Sequence, residues 1–110
     1  MTVHELGHIV LYVRNLERSR RFYGEVLGWK SLPAPADFPG ALFSSGRTHH
    51  ELLLLEGGPG AAPIPAGRRI GLYHFGLKVG TTDGELRQVF RTLQGKGRPG
   101  RGHGGPRGHP

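Results

Sequence analysis

Cysteine is absent from this 110-residue, 12.0 kDa chain, which excludes a disulfide framework and any thiolate metal site. A metal would have to be held by His, Asp, Glu or water, and the seven histidines supply candidates. Long apolar runs are also missing: hydrophobic residues make up 35% of the chain. No run approaches the roughly 18–20 apolar residues that a membrane-spanning helix needs. The opening MTVHELGH lacks the basic-then-apolar layout of a secretory signal. These absences predict one small cytoplasmic domain that does not enter a membrane and buries a core of limited size.

Acidic residues are also missing from the C-terminal stretch. Residues 94–110, QGKGRPGRGHGGPRGHP, hold 4 of the 15 Lys and Arg and none of the 8 acids. The net charge of +7 and the pI near 10.8 raise nucleic acid as a partner. Residues 1–93, however, carry 11 basic against 8 acidic residues, a net +3. The basic tail has no aromatic for base stacking, so no nucleic-acid partner is expected. With seven glycines among 17 residues and no apolar side chain beyond its prolines, nothing in the tail would offset the entropy of ordering it. It reads as a flexible, basic, low-complexity segment.

Sliding the chain against itself by 66 residues reveals an internal repeat. Leu6-Gly7-His8-Ile9-Val10-Leu11-Tyr12-Val13 falls on Leu72-Tyr73-His74-Phe75-Gly76-Leu77-Lys78-Val79, with Leu, His, Leu and Val identical. Each copy then enters a helical pattern. In the first, Asn15 is an N-cap, apolar residues recur at helical spacing from Leu16 to Leu27, and Gly28 suits a left-handed C-terminal position. This predicts a helix over 16–27. In the second, Thr82 and Glu85 form a capping box, and Leu86, Val89, Phe90 and Leu93 follow the i, i+3, i+4, i+7 rule. That helix is expected over 83–93.

Three short segments between the helices read as strands: Trp29–Leu32, Ala41–Ser44 and His50–Glu56. The stretch GGPGAAPIPAG over 57–67 is a linker. The first module is therefore βαβββ over about 6–56, and a partial second module runs over about 70–93. By the 66-residue offset, the second copy's counterpart of His50–Glu56 would fall at 116–122, past the last residue. The fold class expected is α+β, built from paired βαβββ modules in one domain over 1–93. The second module would be truncated after its first strand and helix, with the tail over 94–110. Such a half-sheet leaves an open edge, which predicts a homodimer. The switch from patterned sequence to Gly, Arg, Pro and His is what a reading-frame slip in a GC-rich gene would produce.

Strand alternation sets Ile9, Leu11 and Val13 on a face covered by helix and His8, Val10 and Tyr12 on the other. The second copy sets His74, Gly76 and Lys78 apart in the same way. His8 and His74 thus occupy equivalent points. Alone, each is explained by a hydrogen bond to a carbonyl; as a repeat-related pair they predict metal ligation, for which neutral imidazole suits iron, zinc, nickel and copper. In THHELLLLE only one of His50 and Glu51 can share the His8 face: His50 would supply an acid-base group, Glu51 an oxygen ligand. Glu56 reads as a solvated strand end and His4 as a surface residue. His103 and His109 lie in the tail.

LGHIVLYVRNLERSRRFYGEVLGW, with a His-bearing strand and a helix ending in FYxxVLG, resembles the opening of a vicinal oxygen chelate module. RTHHELLLLE followed by GLYHFGLKV is similar to the type I extradiol ring-cleaving dioxygenases and their short relatives, and less so to glyoxalase I and the bleomycin resistance proteins. The resemblance covers residues 6–93. It implies that His8 and His74 bind a divalent metal, iron(II) first, with manganese, zinc or nickel as substitutes. It implies that His50 is the catalytic acid-base residue and that the substrate is a small catecholic molecule. The family's third ligand, a Glu on the last strand of the second module, has no counterpart here. A glyoxalase I-like lyase would need a carboxylate where Leu52–Leu55 stand. A bleomycin-type binding module would need no metal.

Overall fold

The structure, a computed structural model, describes residues 1–97. The remainder of the expected tail, 98–110 with His103 and His109, lies outside the described residues. The chain divides into two compact units, one over Met1–Ala61 and a second that starts at Ala62. Both a sheet and helices are present, so the architecture is mixed α+β.

In the first unit the order is β1 (Ile9–Val13), α1 (Leu16–Arg21), β2 (Lys30–Leu32), β3 (Gly40–Ser44) and β4 (Leu52–Glu56). The strands form one sheet in the order β1-β4-β3-β2. β4 is parallel to β1, with Ile9 opposite Leu52 and Leu11 opposite Leu54, and antiparallel to β3. β2 completes an antiparallel pair with β3.

One face of this sheet is the core. Val13, Ala41, Phe43, Leu52 and Leu54 are buried with Tyr23, and Leu11, Leu16, Phe22, Leu27 and Trp29 pack against them. Each of the fully buried Phe43, Leu52 and Leu54 contributes about 1.5–3 kcal/mol by leaving water. Alternation holds along β1, where Val13 is buried while Val10 and Tyr12 are exposed.

The helix starts where the cap predicts: the Asn15 side chain accepts from the Arg18 N–H at 2.9 Å. Its second half departs from expectation. After Arg21 the chain widens into a π-helical turn over Phe22–Val26, closed by Leu27 N–H donating to the Phe22 carbonyl at 3.0 Å. The wider turn buries Tyr23 beside Phe43 and Trp29, with ring centroids at 6.2 and 6.4 Å. Gly24 permits the approach, because a Cβ there would stand 3.3 Å from the Phe43 ring. Gly28 then takes φ of +77°, the left-handed conformation expected of it.

The second unit holds α2 (Asp83–Thr92), continued by a π-helical turn over Leu93–Gly97. Helical structure thus runs into the first residues of the segment read as tail. The capping box is formed as expected, with Glu85 N–H donating to Thr82 Oγ1 at 3.1 Å and Thr82 N–H donating to Glu85 Oε1 at 3.2 Å. α2 starts 67 residues after α1, against a repeat offset of 66, so the connection before it is one residue longer than its counterpart in the first copy. Leu72–Val79, read as the second copy's first strand, makes no ladder among the described residues. A strand satisfies its backbone only against a neighbour, and no described segment pairs with it. No helix among the described residues is long and apolar enough to cross a membrane.

Candidate functional site

Because β1 and β4 are parallel and in register from Ile9 and Leu52, the residues that precede each strand emerge at the same end of the sheet. The backbone is tied there from both sides: Ile9 N–H donates to the Glu51 carbonyl at 2.9 Å, and Glu51 N–H donates to the Phe43 carbonyl at 3.0 Å. His8 and His50 project from this junction. Their ring centroids are 4.8 Å apart with a 40° tilt.

The sequence left open whether His50 or Glu51 joins His8. In the structure it is the His50 ring, because the Glu51 carboxylate is committed elsewhere. Glu51 Oε1 accepts from the Ser45 N–H and hydroxyl, each at 2.7 Å. Its Oε2 accepts from the Thr48 N–H at 2.9 Å. The Ser45 donors first, then those of Thr48, hold its carboxyl well below the ordinary 4.5, at about 2. Glu51 is thereby the keystone of the Ser44–Thr48 turn, with both carboxylate oxygens engaged in it.

His50 is half-buried, and burial pushes its imidazole below the usual range. The neighbouring His8 and then His49 push in the same direction, and Glu51 opposes them. It therefore stands as a neutral imidazole at neutral pH, the form of a general base. His49 is a member of the site that strand alternation concealed. β4 begins only at Leu52, so the preceding residues are not pleated and adjacent side chains are free to meet. The Nδ1 atoms of His49 and His50 lie 3.0 Å apart. The signal available was the bare His-His pair beside a Glu.

Beside this cluster the open face of the sheet is apolar. The registers place Val10, Leu53 and Leu42 in one row and Tyr12 and Leu55 in the next. Val10 and Tyr12 are exposed, while Leu42, Leu53 and Leu55 are half-buried. An aromatic or aliphatic body laid there would bury apolar surface with polar groups at one end, a common plan for a small-molecule site.

His74 belongs to the second unit, exposed and with its ring 4.7 Å from that of Tyr73. Glu56, read as a solvated strand end, instead accepts the Leu16 N–H at 2.8 Å. As to a metal, imidazole is a suitable donor and His8 is exposed. Yet no three His, Asp or Glu side chains converge on one point among the described residues. The described residues offer individual nitrogen ligands and no complete triad.

A family model described as the Glyoxalase/Bleomycin resistance protein/Dioxygenase superfamily matches residues 5–107. The chain is 37% identical over 79 residues to a catechol-2,3-dioxygenase of Bacillus subtilis (strain 168), a match that covers 69% of this chain. It spans only about a quarter, 27%, of that relative's length. Among solved structures, an integron cassette protein from the mobile metagenome of the Halifax Harbour sewage outfall superposes with a TM-score of 0.58 at 20% identity. That superposition covers 86% of this chain and 72% of the other, and it concerns the fold alone.

Proposed function

We propose, from the premise that this chain belongs to the glyoxalase/bleomycin resistance/dioxygenase superfamily, that it acts on a catecholic small molecule in the manner of the extradiol ring-cleaving dioxygenases. The observation that carries this reading is the meeting of His8 and His50 at one end of an apolar sheet face. The likeness to a catechol-2,3-dioxygenase supports it.

In this reading His8 and His74 are the protein's ligands to a divalent metal, iron(II) first, with manganese, zinc or nickel as substitutes. When bound, that ion would supply Lewis acidity toward vicinal oxygens. The rest falls to the chain itself. Val10, Tyr12, Leu53 and Leu55 would receive the ring of the substrate. His50, neutral because burial and its histidine neighbours disfavour its charge, would take the proton of a substrate hydroxyl and later return it. Glu51 fixes the turn before His50 and thus its position. The working form would be a cytoplasmic homodimer.

A non-enzymatic binding module of the bleomycin resistance type is the second reading, favoured by the breadth of the apolar face (Val10, Tyr12, Leu42, Leu53, Leu55). A glyoxalase I-like lyase ranks below both, because β4 carries leucines where that chemistry needs a carboxylate. Iron analysis of anaerobically purified protein, with oxygen consumption on catechols, separates them. Stoichiometric iron lost in both His8→Ala and His74→Ala, together with ring cleavage lost in His50→Ala, is the expected result. Tight binding of aromatic ligands without iron uptake or oxygen consumption would transfer the protein to the second reading.

A further inference from the structure

His49 and His50 are neighbours in the chain whose Nδ1 atoms approach to 3.0 Å, with the rings nearly perpendicular at 86°. Two imidazole nitrogens at that distance share a proton, or both lend their lone pairs to one cation. With metal–nitrogen bonds of about 2.0–2.1 Å, two ligand nitrogens stand about 2.9 Å apart across a right angle and about 3.3 Å apart in a tetrahedron. The observed 3.0 Å is the length of an N–H···N hydrogen bond and is also close to the span of two nitrogens on one cation, and copper(II) heads the affinity order for nitrogen sites.

We propose that His49 and His50 form a cis, two-nitrogen site for a divalent ion, copper(II) foremost, built within the first unit, independent of His74 and sharing only His50 with the dioxygenase reading. The backbone around the pair is held in advance. Thr48 Oγ1 stands 2.8 Å from the His50 carbonyl oxygen, the Thr48 N–H is held by Glu51, and Glu51 is tied to both β1 and β3. His49 itself is exposed, so an ion reaches the pair from solvent. No third His, Asp or Glu converges with the two among the described residues, which leaves the other equatorial positions to water or to a small chelating ligand. Glu51 spends its carboxylate on the turn, so it would act on the ion by its charge rather than as a ligand.

The test is titration of the full chain with copper(II) chloride by calorimetry, in a buffer that does not chelate, with electron paramagnetic resonance of the loaded protein. His49→Ala and His50→Ala are compared with wild type, and His4→Ala and His74→Ala serve as controls for histidines elsewhere. The proposal expects one site whose affinity falls about tenfold or more in His49→Ala and in His50→Ala. Imidazole nitrogen couplings should be lost with it, and both controls should bind as wild type. Because His49 is exposed, His49→Ala keeps its fold, and circular dichroism verifies this. Unchanged copper binding in His49→Ala overturns the proposal. So does loss confined to His74→Ala, which would assign the ion to the site of the proposed function. Failure of iron loading, by contrast, bears on the dioxygenase reading alone.

Discussion

Glu56 Oε1, at the end of β4, accepts the backbone N–H of Leu16, the first residue of α1, at 2.8 Å. Forty residues separate the two. The first N–H groups of a helix have no partner within it, and a carboxylate placed there gains from the helix dipole as well. Asn15 serves Arg18 while Glu56 serves Leu16, so α1 is capped once locally and once from the sheet.

Replacing Glu56 with Ala removes the distant cap. We expect a loss of about 1 kcal/mol in unfolding free energy, measured by urea denaturation. Glu56→Gln, which keeps an acceptor oxygen, should recover part of it; no loss in Glu56→Ala would mean that the contact does not contribute.

Glu51 links stability to acid. Its folded pKa of about 2 lies below the ordinary 4.5, so its stabilising effect is present above that ordinary value and is lost as pH falls toward 2. The melting temperature of wild type should decline across this window, and that of Glu51→Gln should start lower and decline less. Parallel pH profiles for the two proteins would refute the role given to the carboxylate.

His50 acts in the same sense at higher pH. Burial, His8 and His49 depress its pKa below 6.5, so the unfolded chain takes up the proton first. Acidification below that value therefore weakens the fold until the folded imidazole is protonated too. Its ring protons, followed by NMR, should titrate below 6.5 in wild type and move toward that value in His8→Ala. A midpoint insensitive to His8 would separate the two rings in solution.

Gly40 occupies a place where any Cβ would lie 2.5 Å from the Leu54 carbonyl oxygen. Gly40→Ala must push β3 from β4, and a loss of about 1–3 kcal/mol is expected. Gly7→Ala, with nothing within 4 Å of the added Cβ, is the matched control and should unfold as wild type does.

The sequence by itself determined the features that close within a few residues. Asn15 and Thr82 satisfy backbone groups three residues ahead, the period of apolar residues selects helix or strand, and Gly28 alone suits the turn after the first helix. The repeat and the FYxxVLG and THHE motifs likewise identified the superfamily, because they are local strings. Tertiary structure decided what depends on distant pairing. Where β4 starts is set by its ladder with β1, and that start releases His49 and His50 from strand alternation so that their rings meet. Phe43 and Trp29, packing on Tyr23, accompany the widening of the helix into a π turn. The roles of Glu51 and Glu56 were invisible in the string, since a carboxylate's partners are chosen by the backbone folded around it rather than by the residues beside it.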